Sequence, residues 1–154
     1  MSVAFRRDSD EEHLEPRFEI PLPPGRNLVT PRGLELIAAR VAELETGLPL
    51  VSGEDEIKEA KRTLRYWRSR LATAEPMPSP AGDKVAFGCR VDFLLGGKPR
   101  TITLVGHDEA DTAANKLAFT APLARALTGA EVGDLADFNG QADAIEVLKI
   151  EPAG

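Results

Sequence analysis

Cysteine is almost missing from this sequence. Among 154 residues there is one, Cys89. A lone thiol excludes an internal disulfide framework and any cysteine-based zinc cluster. It points to a reducing, cytoplasmic setting. Histidine is nearly as scarce. His13 falls in a charged N-terminal stretch and His107 in a loop. Two isolated histidines and one distant thiol lack metal-ligand spacing, so no metal is expected. A Cys–His nucleophile pair stays formally open. The plainer reading of Cys89, on the apolar face of a strand pattern, is a small buried hydrophobe. Nowhere do ~18 uncharged apolar residues run together, so no membrane span is expected. Two early arginines have no apolar stretch behind them, and no secretory leader is expected either. There is no glycine-rich phosphate loop and no GxSxG. The chain does not read as a self-contained enzyme, and no cofactor of its own is expected.

What is present is an ordinary globular composition, 42% apolar and 29% charged. The length permits one domain or two small ones. Lys and Arg number 19 against 25 Asp and Glu, a formal net charge of −6. Phosphates demand a cationic face, so the whole surface is not a nucleic-acid platform, and sequence-specific nucleic-acid binding is not expected.

The chain divides by pattern. Residues 1–27 carry DSDEEHLEPR and then IPLPPG, and read as a flexible or extended tail. Alternatively, Phe18, Ile20 and Leu22 alternate and lie along a partner or an edge strand. Thr30-Pro31 then supplies an N-cap and a proline at the first helical position. Apolar residues recur at Leu34, Ile37, Val41, Leu44 and Leu48. After Gly47, Pro49 and Gly53 the alternation resumes at Ile57, Ala60, Leu64, Trp67 and Leu71. Two such seams predict an antiparallel helical hairpin, a short coiled coil, over residues 28–74. Residues 75–82 carry three prolines in a stiff linker. From Asp83 the period becomes two, with Val85, Phe87, Cys89, Val91 and Phe93 on one face of a strand. Gly96-Gly97 and Asn139-Gly140 are hairpin turns. Thr101 to Val105 should pair back, Pro122 to Leu127 should form one short helix, and Ala144 to Ile150 should close the sheet. The expectation is an α+β protein, with a mostly antiparallel sheet domain over residues 83–151.

The stretch Leu104-Val105-Gly106-His107-Asp108-Glu109-Ala110-Asp111 leads to Ala121-Pro122-Leu123-Ala124-Arg125-Ala126-Leu127-Thr128-Gly129 and then Gly133-Asp134. This order resembles the C-terminal domain of the bacterial transcript cleavage factors GreA and GreB: a VGxxEAD segment, an SPLxxALxG helix, a GD turn and a closing strand. Thr30-Pro31-Arg32-Gly33 resembles the family's opening TPxG, and Leu64-Arg65-Tyr66-Trp67 resembles GreB on the returning arm. The resemblance implies a C-terminal domain with an FK506-binding-protein-like fold that docks at the rim of the RNA polymerase secondary channel. It also implies a coiled coil that enters the channel. Two acidic residues at its tip would then help hold the polymerase's second catalytic magnesium, an indirect contact with a metal that is not the factor's own.

Three departures accompany the resemblance. The family's tip motif, close to GD-L/R-x-E-N, is absent. Each arm is roughly ten residues shorter, which at ~1.5 Å per residue removes about 15 Å of reach. Acids do stand at the new tip, Glu54, Asp55 and Glu56. They read either as a re-spaced metal-assisting set or as first-turn acids that complement a helix dipole. They could also touch the channel without doing chemistry. Finally, Thr120-Ala121-Pro122 stands where the family places Asp-Ser-Pro, whose Asp takes part in docking. With Asp108, Glu109 and Asp111 these residues are the candidate polymerase contacts; the acids also read as solvated loop carboxylates.

Lys58, Lys61, Arg62, Arg65, Arg68 and Arg70 make the returning arm basic, a stretch that could meet nucleic acid. The plainer reading is a solvated face, with Glu59 and Arg62 spaced to pair. Trp67 falls on the seam and reads as core. Three functions compete. The first is a single-chain regulator that binds RNA polymerase at the secondary channel without strong cleavage. A related family, polymerase-binding regulators of nucleoside diphosphate kinase, also joins a shortened coiled coil to this domain. The second is a true cleavage cofactor that uses the re-spaced acids. The third is a peptidyl-prolyl isomerase. It would need an aromatic-lined proline pocket, whereas aromatics are 5% and Phe87, Phe93, Phe119 and Phe138 read as strand core.

Overall fold

The computed structural model describes residues 19–153; His13 and Phe18 therefore lie outside the described residues. The seven-residue apolar pattern forms two helices, α1 (Pro31–Gly47) and α2 (Glu54–Thr73). Seven strands follow the chain as β1 (Leu28–Val29), β2 (Glu75–Pro76), β3 (Cys89–Leu95), β4 (Lys98–Val105), β5 (Lys116–Ala118), β6 (Leu135–Phe138) and β7 (Gln141–Pro152). A short helix, α3 (Pro122–Leu127), precedes β6. The protein is α+β. No helix among the described residues is long and apolar enough to cross a membrane. Contacts divide the chain into two units, one of residues up to 25 with 38–73, the other of 26–37 with 74 onward. The boundary thus runs through α1, whereas the sequence pattern assigns residues 28–74 to one hairpin.

The first unit is the helical hairpin. Val41 and Leu64 are buried, and Leu44, Leu48, Ile57, Ala60, Trp67 and Leu71 are half-buried along the seam. Most intervening positions face solvent. Burial of these seams supplies what neither short helix has alone. Two polar contacts link the arms. Arg68 meets Glu45 at 2.8 Å, and the Arg40 guanidinium lies 6.0 Å from the Trp67 ring centre. The expected Glu59–Arg62 pair does not form among the described residues; Arg40 and Glu43 make the i,i+3 pair instead, at 2.7 Å. Between the helices, Leu48–Leu50 forms one tight turn around Pro49. Residues 19–27 form neither helix nor strand, and Ile20 and Leu22 are exposed. Ile20 and Leu22 join no strand among the described residues.

In the second unit β1 and β2 pair in parallel, Leu28 opposite Glu75 and Val29 opposite Pro76. Glu75 N donates to Asn27 O at 2.8 Å and Met77 N to Val29 O at 3.0 Å. Pro76 stands between these donors, where its missing N–H costs nothing. The proline-rich segment is therefore extended, and stitched down at its start. The main sheet has the order β5-β4-β3-β7-β6. Gly96-Gly97 and Asn139-Gly140 turn its two tight hairpins with positive φ at both central residues. The sheet is not wholly antiparallel, because β5 runs parallel to β4.

The strand pattern from Asp83 also resolves differently. β3 begins only at Cys89, since Gly88 turns the chain at φ +89°. Val85 is buried all the same. Its N–H reaches Ala130 O and its carbonyl takes Gly129 N, both at 2.8 Å. Cys89, Val91, Phe93, Ile102, Leu104, Ile145 and Val147 form one apolar face, which Ala124 and Leu127 of α3 cover. Phe93 is fully buried; Phe87, Phe119 and Phe138 are only half-buried.

Candidate functional site

The hairpin end is built by α2's first turn. Gly53 precedes it at φ +97°, and Ile57 N bonds Gly53 O at 3.0 Å. Glu54, Asp55 and Glu56 occupy the first turn and Arg70 the last, both in the sense that complements the helix dipole. All three acids are exposed. They are not equivalent. A Cβ placed on Gly53 would lie 2.1 Å from Glu56 Oε1, so the Glu56 carboxylate is turned back over its own helix start. That places its charge beside the positive end of the helix dipole. Leu50, at the crest of the turn, is 83% exposed.

The loop after β4 places its acids in three different roles. Glu109 is enclosed, with its side chain 6% exposed. It accepts a hydrogen bond from Thr30 Oγ1 at 2.5 Å, and Lys116 Nζ lies 3.7 Å away. Thr30 Oγ1 in turn accepts Gly33 N at 2.9 Å, which caps α1. Glu109 is thus engaged inside the fold by Thr30 and Lys116. Asp111 is exposed, and its side chain accepts Ala113 N at 3.1 Å, capping the turn Thr112–Ala114. Asp108 is half-buried. Thr120 and Ala121 are half-buried and Pro122 is exposed.

The two loop segments do meet. Thr120 Oγ1 lies 3.3 Å from His107 Nε2. The His107 ring packs edge-on to Phe119 at 5.6 Å, and Phe119 packs on Phe87 at 5.4 Å. Ala121 gives α3 no side-chain cap; Pro122 opens it instead. Sequence reasoning missed the Thr30–Glu109–Lys116 node. Thr30 was legible as a cap, but nothing in a linear pattern links it to a carboxylate 79 residues away.

Beside this node lies a cavity of about 530 Å³, lined by Met77, Pro78, Pro80, Phe87, Arg90 and Lys116 among others. Phe87 is its one aromatic, which gives no support to an aromatic proline pocket. Among the described residues no group of three or more His, Cys, Asp or Glu is placed to hold a metal ion. Cys89 is fully buried, and its thiol is pushed above the ordinary range by burial.

A helical hairpin, a capping node at its first helix and a five-stranded sheet closed by one short helix define a two-part α+β protein. The family model for the C-terminal domain of GreA/GreB transcription elongation factors matches residues 79–152. Transcription elongation factor GreB of Neisseria meningitidis serogroup A is 38% identical over 105 residues, 64% of each chain. Transcription elongation factor GreA of Rhizobium leguminosarum bv. viciae is 31% identical over 133 residues, 78% of this chain and 81% of that one. Among solved structures, the GreA factor homolog 1 (Gfh1) protein of Thermus thermophilus aligns with 82% of this chain and 99% of its own, at 18% identity and a TM-score of 0.39. The chain belongs to the GreA/GreB family of transcription elongation factors. The match spans 64% of the length of the Neisseria relative.

Proposed function

We propose that this chain binds RNA polymerase near its secondary channel, as a single polypeptide in the cytoplasm, and modulates transcription without strong transcript cleavage. The hairpin end carries this reading. Its helices have 17 and 20 residues, roughly 25 and 30 Å at ~1.5 Å per residue. Its crest is Leu48-Pro49-Leu50-Val51 rather than an acidic loop. One of its three acids, Glu56, lies back over its own helix start. A carboxylate helps a magnesium ion only at bond distance, so both length and aim matter. Asp108, Asp111, Thr120, Ala121 and Pro122 remain the proposed polymerase contacts, with Glu109 acting behind them.

A second reading has one observation in its favour: Glu54 and Asp55 are exposed at the end of the hairpin. There they would assist the polymerase's own hydrolysis, the chemistry residing in the polymerase metals. A backtracked elongation complex separates the two. The first reading expects binding to core polymerase and little transcript shortening, the same with Glu54, Asp55 and Glu56 all changed to Ala. Shortening by the parent protein that disappears in the triple variant establishes the second. Absence of any binding to core polymerase overturns both.

A further inference from the structure

Lys58, Lys61, Arg65 and Arg68 recur along α2 at intervals of three and four, with Arg62 beside them. That spacing puts them on one helix face. All but Arg62 are exposed. Arg68 is answered by Glu45 of the other arm. Among the described residues, Lys58, Lys61 and Arg62 enter no ion pair. A row of like charges this close repels itself unless something meets it.

One member shows what meets it. Arg65 forms a two-point contact with Glu19, its Nε 3.0 Å from Oε2 and its Nη2 on Oε1. The Arg65 hydrogen bond, with the charges of Arg65 and Arg62 behind it, holds the Glu19 carboxyl below its ordinary range. The chain therefore enters the described residues already seated on this face. Earlier in sequence stand Asp8, Asp10, Glu11, Glu12 and Glu15, with His13 within the stretch, Arg6 and Arg7 before it and Arg17 between Glu15 and Glu19; residues 8–15 hold five acids and no Lys or Arg.

We propose that the basic face of α2 is the docking face for the acidic segment 8–15 of the same chain. Glu19 fixes one end beside Arg65. From there to Asp8 the chain reaches up to ~36 Å, while Lys58 to Arg68 spans ~15 Å of helix. Length permits the whole stripe to be met. Each surface pair contributes little alone. The docking is therefore collective and sensitive to salt. Its consequence is competitive: the segment occupies a cationic face of an acidic chain, and a polyanion must displace it.

The test uses the full-length chain. Zero-length carbodiimide coupling, read by mass spectrometry, should join Lys58 or Lys61 to acids between Asp8 and Glu15. The Lys116–Glu109 pair, at 3.7 Å, is the internal control. Coupling should fade in ~1 M salt, where the Debye length is about 3 Å. In parallel, the variant D8N/D10N/E11Q/E12Q/E15Q should bind heparin about tenfold more tightly at low salt than the parent. Reversing the stripe with K58E/K61E should abolish that gain. Coupling at the control pair but none to segment 8–15, or heparin affinity unchanged in the five-site variant, overturns the proposal.

Discussion

The Thr30–Glu109 contact makes a quantitative prediction. Thr30 does two jobs with one hydroxyl: it accepts Gly33 N at 2.9 Å and donates to Glu109 Oε1 at 2.5 Å. Thr30→Val keeps the shape and removes both. Loss of the cap costs about 1 kcal/mol. Loss of a hydrogen bond to an enclosed carboxylate costs about 1.5–3 kcal/mol. Together the expected loss is about 2–4 kcal/mol. Thr30→Ser retains both bonds and should cost under ~1 kcal/mol. Glu109→Gln keeps an oxygen for the hydroxyl and removes charge only from Lys116, whose side chain is 28% exposed and can turn to water; about 1 kcal/mol is expected. Combining Thr30→Val with Glu109→Ala should cost less than the two single changes added, by about 1–2 kcal/mol, because the partners share one interaction. Urea unfolding followed by far-ultraviolet circular dichroism measures all of these. A loss under ~0.5 kcal/mol for Thr30→Val, or a Ser variant as damaged as the Val variant, would refute the assignment.

Further outcomes follow from single observations. A Cβ on Gly106 would meet the Leu28 carbonyl oxygen at 2.3 Å, a backbone atom that cannot swing aside, so Gly106→Ala should lower stability by about 2–3 kcal/mol in the same urea assay. Cys89 should resist an aromatic disulfide reagent in the native protein and react fully once unfolded. Because burial raises its thiol pKa, its contribution to stability is whole below the unfolded thiol's pKa and fades as pH rises through the folded value; alkaline unfolding should come later in Cys89→Ala. For Glu19 the sign is opposite. Its carboxyl is held low, so the Arg65 contact is present above the ordinary carboxylate range and is lost as pH falls through the depressed value, which a carboxyl carbon NMR titration would read.

Where local chemistry decides, the sequence could be read closely. Thr30-Pro31 starts α1, Pro122 to Leu127 is α3, and the two glycine-bearing pairs turn both tight hairpins. The seam residues from Leu34 to Leu71 are all buried or half-buried. Each of these is fixed by a few neighbouring residues. What was not legible is settled by distant partners. β1 and β2 are two residues each and exist because they pair across 47 positions. β5 is three residues long and is held in parallel by β4, which no alternation could announce. Val85 sits in period with β3 but spends its backbone bonds on the loop after α3. The acids of the β4 loop looked alike in sequence. Only the fold separates enclosed Glu109, turn-capping Asp111 and half-buried Asp108.

The same separation at the hairpin end yields a test of what its acids are for. A carboxylate in a helix's first turn is stabilised by the dipole, and moving away from it forfeits about 0.3–1 kcal/mol. Glu56 lies close over Gly53, which has no side chain: a Cβ would stand 2.1 Å from Glu56 Oε1. The atom it would strike is the far end of a flexible side chain, so Gly53→Ala should displace Glu56 into solvent. The Gly53 backbone, at φ +97°, resists a side chain by a further ~1–2 kcal/mol. The hairpin should therefore lose about 1–3 kcal/mol, seen as earlier thermal loss of helical signal. On a backtracked elongation complex the two functional readings then diverge. If the acids assist hydrolysis, freeing Glu56 adds a mobile carboxylate at the end, and cleavage per bound factor should rise. If the end only occupies space, cleavage should stay at its background while binding persists. A rise that vanishes on adding Glu56→Gln would overturn the non-cleaving reading; a flat response would leave Glu56 as a first-turn acid that complements the helix dipole.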